Sequence, residues 1–195
     1  KDGEMDVRQL APALLAIGDL LESANKALND DSATVSVRVR SDFKQGSFEI
    51  DFVVVQSLAE QVKLWLTGGL VAVSAVEIST LLGFLESASN VIGINLIQLI
   101  RWLRGRRVDR VEQGNGNTVI IVANDGATVE VQKNVWILSQ DRTVRTNLEA
   151  ALRPLEDPGI DVFEVRHNGR TIERIQKDEY DTFRVPEDDE EQLVR

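Results

Sequence analysis

The chain has 195 residues, 43% of them apolar, no cysteine and a formal charge of −10 at neutral pH. That is enough apolar chain to close a sizeable core, while the missing thiols exclude disulfides, thiolate zinc sites, iron–sulfur ligation and cysteine nucleophiles. The negative balance repels phosphate backbones and makes nucleic acid an unfavoured partner.

A cysteine-free chain suits a cytoplasmic location, with peripheral membrane contact as the extension of that expectation. Because the sequence opens at Lys1, it leaves room for an upstream segment, and the lack of a signal peptide carries no weight.

In chain order, Val7, Leu10, Leu14, Ile17, Leu21, Ala24 and Leu28 recur every three or four residues, the spacing of one helical stripe. Asp6 is the expected N-cap, and Pro12, which lacks a backbone N–H, places the start of the regular helix near itself. The Asn29-Asp30-Asp31 cluster is the expected stop.

Two alternating runs follow, Val35-Val37-Val39 and Phe48-Ile50-Phe52-Val54. They read as a hairpin in which Arg40 faces Glu49, Arg38 faces Asp51, Val39 meets Ile50 and Val37 meets Phe52, since that register matches charges on one face and apolar groups on the other.

From Ser57 the pattern turns helical, and between Leu64 and Arg101 the only ionisable residues are Glu77 and Glu86. A spanning helix needs about 20 apolar residues, and no uncharged stretch here is that long. The region divides at Gly68-Gly69 and at Glu86–Asn90 into three helices, the second near Leu70–Leu85 and the third near Val91–Arg104. On the third, Asn95, Gln98, Arg101 and Arg104 descend one narrow flank and apolar residues cover the rest, so this helix requires cover on most sides.

Three kinds of cover compete: the chain's own sheet, a second copy, or a membrane surface. The membrane reading draws on Trp65 and Trp102 near the segment ends and on the basic cluster Arg101, Arg104, Arg106, Arg107 with Arg110 beyond it. The same arginines could simply complement the dipole of a helix capped at Gly105.

Val119 and Ile121 should face Val129 and Val131 across a three-residue Asn124-Asp125-Gly126 loop, with Gly126 left-handed. Asn115-Gly116 is a second turn, and the Gly114-Asn115-Gly116 triplet lacks the strand and helix context of a phosphate loop. A short helix begins at Val135–Leu138. A longer one places Val144, Leu148, Ala151 and Leu152 on one face and ends at Pro154. The last hairpin turns at Asn168-Gly169 and pairs Val165 with Ile172. From Pro186 the chain runs into acidic residues, which read as a solvated tail available for docking another protein.

Catalytic parts are sparse. His167 sits beside a turn, where it should be exposed. Asp178 with Glu179, and Glu149 with Glu156, are the carboxylate pairs to consider, and surface charge is their simpler explanation. No HExxH, GxSxG or GxxxxGK[ST] motif occurs.

The phrases Asp6-Val-Arg-Gln-Leu-Ala-Pro-Ala-Leu-Leu-Ala-Ile-Gly-Asp-Leu, Ser36-Val-Arg-Val-Arg with Gly46-Ser-Phe-Glu-Ile, and Ile100-Arg-Trp-Leu-Arg-Gly-Arg-Arg resemble those of small uncharacterised bacterial and bacteriophage proteins. The resemblance covers most of the chain. It implies a bacterial or prophage origin and supplies no activity or site to carry over.

The expectation is therefore an α+β protein of antiparallel β-hairpins with an N-terminal helix. Residues 1–56 and 106–185 would form the body, 57–105 an apolar helical insertion and 186–195 an acidic disordered tail. The expected function is non-enzymatic homo-oligomeric assembly without a cofactor or metal, the alternative being a membrane-associating effector or anchor using the same helices. Contact would run through Trp65, Leu66, Val73, Leu81, Phe84, Ile94, Ile97, Ile100 and Trp102, so that Ile97→Asp or Ile100→Asp should shrink the particle or make it insoluble.

Overall fold

In a computed structural model, the described residues are 7–40, 51–58, 73–84, 94–167 and 170–186. They form a mixed α+β protein of helices and antiparallel sheets, with an N-terminal helix as the sequence pattern requires.

Helix α1 (Val7–Asn29) buries Ala13, Ala16, Ile17, Leu20, Leu21 and Ala24. It starts before Pro12 rather than near it. Pro12 lies within the helix and is exposed, away from the face that packs on the core. The proposed cap Asp6 lies outside the described residues.

The helix stops at Asn29, which does more than stop it. Its side-chain oxygen accepts the Val73 N–H at 2.7 Å and its amide nitrogen donates to the Val73 carbonyl at 2.9 Å. That amide also donates to Asn25 Oδ1 at 2.9 Å, and Asn25 donates to the Ala33 carbonyl at 2.7 Å. Two buried asparagines thus fasten the entries to β1 and to the next helix onto the end of α1.

Strands β1 (Ala33–Arg40) and β2 (Asp51–Leu58) pair antiparallel. The register is two residues from the expected one: Arg40 faces Asp51, Arg38 faces Val53, Val39 faces Phe52 and Val37 faces Val54. A slip of two preserves the alternation along the strands, because its period is two, but it exchanges the partners, so that Arg38 faces Val53 instead of Asp51. Glu49 and Ile50 lie outside the described residues. Ser57 and Leu58 belong to β2, so the change to helix comes later than the sequence pattern indicates.

Helix α2 (Ala75–Leu82) is capped by Ser74, whose side chain accepts the Glu77 N–H, and ends on left-handed Gly83, which donates to Ser79 and Thr80 carbonyls. Helix α3 (Leu96–Leu103) opens with a capping box of Asn95 and Gln98. Both are shorter than expected. In the single chain Ile78, Leu81, Leu82, Leu96, Ile97, Leu99 and Ile100 are 0–3% exposed.

Strands β3 (Val108–Gln113), β4 (Thr118–Ala123) and β5 (Thr128–Gln132) make a sheet in that order. Val119 faces Val131 and Ile121 faces Val129, as expected. Gly126 is left-handed at φ 81° and donates to the Ala123 carbonyl. Strand β3 has no counterpart in the sequence expectation: its six residues carry two apolar side chains out of phase, and a bulge lies between Val108 and Arg110.

Helix α4 (Lys133–Gln140) runs to Asp141, which caps α5 (Arg142–Leu152) by accepting the Val144 N–H at 2.9 Å. Val144, Leu148, Ala151 and Leu152 are all buried, and Pro154 sits in the single 3-10 turn that ends the run. Strands β6 (Val162–His167) and β7 (Arg170–Gln176) form the last hairpin, followed by α6 (Tyr180–Phe183).

The core is mainly helical. Helix α1 packs against α5, α4, α2 and β1, while α3 packs against α4 and α6. Leu20, Leu21, Ile97, Ile100, Leu138, Leu148 and Phe183 belong to one buried cluster. Asn147 of α5 ties the α1–α5 contact by donating to the Asp19 carbonyl at 3.0 Å and to Ser23 Oγ at 3.1 Å.

Candidate functional site

The last hairpin departs from its expected register at one residue, and that departure builds the most heavily bonded polar centre of the described protein. Val165 faces Glu173 rather than Ile172, through a bulge after the His167–Arg170 and Arg166–Thr171 pairs. The unbulged register would have set Glu164 directly opposite Glu173, a repulsive pair. With the bulge Glu164 faces Arg174, 3.5 Å away as an ion pair, and Glu173 joins Ile175 on the buried face. Turning a side chain inward is a recognised consequence of a bulge.

Glu173 is 6% exposed. Its Oε1 accepts from Asn95 Nδ2 at 2.7 Å and Gln98 Nε2 at 2.8 Å, and its Oε2 accepts from Arg101 Nη1 at 2.9 Å. Asn95 and Gln98 use the other ends of the same side chains to close the α3 capping box. Arg101 also donates from Nε to Glu179 Oε1 at 2.9 Å and from Nη2 to the Arg174 carbonyl. Burial works against the Glu179 anion, but the Gln176 N–H, the Arg101 hydrogen bond and the positive charges of Arg101 and Arg104 outweigh it and hold this carboxyl below its ordinary value.

The polar flank read from the sequence is thus the face by which α3 grips β7. Both Glu173 oxygens accept from side chains fixed on α3, so this buried carboxylate ties the two elements together.

The basic cluster does not form one patch. Arg101 is bound to Glu173 and Glu179. Arg106 pairs with Asp125 at 2.9 Å, donates to the Trp102 carbonyl and lies 5.2 Å from the Trp102 ring centre. Asp125 is held below its ordinary carboxylate value chiefly by the Ala127 N–H, which together with Arg106 outweighs the opposing effect of burial. Arg104 and Arg107 are exposed. Arg110 pairs with Glu112 and Asp109. Acidic neighbours therefore answer Arg101, Arg106 and Arg110.

The expected contact residues fall into three groups. Leu81, Ile97 and Ile100 are interior, 0–3% exposed. Val73, Phe84, Ile94 and Trp102 are partly buried and pack against the same core. Trp65 and Leu66 lie outside the described residues. The first group corrects the expectation that these side chains form a surface: helices α1 and α4 supply the cover that the hairpins alone could not.

His167 is exposed at the end of β6. Gly114 closes the β3–β4 turn so tightly that a Cβ there would meet Thr118 Oγ1 at 2.3 Å, which accounts for the glycine without any phosphate. Glu149 accepts the Val185 N–H at 2.8 Å. Among the described residues there is no cluster of three or more His, Asp or Glu side chains able to hold a metal, and no helix long and apolar enough to cross a membrane. The acidic tail beyond Pro186 lies outside them.

No family model, curated protein or solved structure matches this chain.

Proposed function

We propose that the chain is a non-enzymatic assembly module that associates with copies of itself. The observation that carries this reading is the exposure of Leu15 on α1 and Val76 on α2, 69% and 67% respectively, on helices whose other faces line the core. Each such side chain forgoes about 1.5–3 kcal/mol of burial that a second copy would recover.

The native particle, prepared without detergent, should have a mass that is a multiple of the single chain, and Leu15→Asp with Val76→Asp should lower it while leaving the fold intact. A particle of single-chain mass at every concentration would overturn the proposal. Co-flotation with anionic liposomes would favour the membrane-anchoring alternative instead.

A further inference from the structure

We infer that β3 is a seam along which two copies join edge to edge, antiparallel, about a two-fold axis at Val111. This rests on the self-association reading and adds to it a second surface besides the one that carries Leu15 and Val76.

Strand β3 is the outer strand of the β3-β4-β5 order, and Asp109 to Gln113 are all exposed. The opposite edge differs, because β5 contacts α4 and Val131 on it is fully buried. Backbone direction follows from one bond: the Gly114 N–H donates to the Thr118 carbonyl at 3.1 Å. In an antiparallel ladder, directly opposed pairs alternate between bonded and unbonded. Glu112, facing Ile120, and Arg110, facing Val122, therefore direct their backbone groups to β4. Val111 and Gln113 direct theirs to the open edge.

The side chains fit a copy of themselves. With Val111 opposite Val111, Arg110 stands opposite Glu112 and Glu112 opposite Arg110, so reversal of the strand reproduces both opposite-charge pairs. Within one chain Arg110 already bonds Glu112 at 2.7 Å and Asp109 at 3.0 Å, so these groups sit at the edge with matching chemistry. Val111, 40% exposed, faces Ile121, which faces Val129. Pairing would extend that apolar row from one sheet into the next. Edge charges commonly ward off pairing; this sign order wards off parallel and out-of-register partners while admitting the two-fold one.

Sedimentation velocity on the full chain over a concentration series tests the seam. Val111→Pro removes an outward N–H and leaves the β3–β4 bonds alone; it should weaken association about tenfold or more, the effect of losing symmetric edge hydrogen bonds. Arg110→Glu and Glu112→Arg should each weaken self-association similarly, and an equimolar mixture of those two variants should restore it, because each then meets its opposite. Restoration in the mixture cannot come from misfolding. If the wild-type chain associates but neither Val111→Pro nor the charge variants alter it, the seam is wrong and assembly through another surface stands. If the wild-type chain is monomeric throughout, both readings fail.

Discussion

A buried carboxylate is tolerated only when its lone pairs are answered, and Glu173 is answered by Asn95, Gln98 and Arg101. Glu173→Ala leaves the Arg101 guanidinium without its buried partner and two amides without an acceptor. With Arg101 partly solvated, the expected loss is about 2–3 kcal/mol, read as a lower urea midpoint at unchanged slope. An unchanged midpoint would mean that the cluster is incidental. Glu179 adds a pH signature. Its carboxyl is held below the ordinary value, so its contribution is present above the unfolded-state pKa of about 4.3 and is lost as pH falls through the lower folded value. Glu179→Gln should flatten the acid side of the stability profile and do little to its slope above pH ~6; identical acid limbs in the two proteins would remove Glu179 from the account.

Elements are joined here through their ends. Gly83 closes α2 at φ 93°, and a Cβ on it would meet the Asn95 side chain at 2.9–3.1 Å. Asn95 caps α3 and holds Glu173, so the glycine leaves room for a residue serving two elements at once. Gly83→Ala combines left-handed strain with that crowding and should cost about 1–2 kcal/mol. A thermal unfolding midpoint equal to wild type would show that the contact yields freely. The bulge in β7 belongs to the same scale. Periodicity and the turn residues locate this hairpin, while the repulsion between Glu164 and Glu173 in the simple register is the signal that could have revealed the bulge.

At the scale of the whole molecule, the apolar residues described on α2 and α3 are taken up mainly by the chain's own core. Ile97 is fully buried between elements far apart in sequence, and an aspartate there would be a charge without a partner. Ile97→Asp should therefore abolish cooperative unfolding, with a penalty of about 4 kcal/mol or more, instead of releasing folded subunits. Circular dichroism with sedimentation separates these outcomes; a folded Ile97→Asp protein of reduced mass would return this residue to an interface. The large apolar side chains left exposed among the described residues are Leu15 on α1, Val76 on α2 and Val111 on β3, while the apolar face of α3 is interior.

Much of this architecture was legible in local sequence. Val144, Leu148, Ala151 and Leu152 mark the buried face of α5, and Asn124-Asp125-Gly126 with alternating valines fixes the β4–β5 hairpin, because helical and strand periodicities and left-handed glycines are properties of neighbouring residues. Spacing also singled out Asn95, Gln98 and Arg101 as a polar flank, but nothing local named Glu173, more than seventy residues away, as their partner. The cover on α3, the buried role of Asn29 and the open edge of β3 were decided by tertiary structure alone. Each depends on which surfaces meet when the chain closes, and that is a relation between segments distant in sequence.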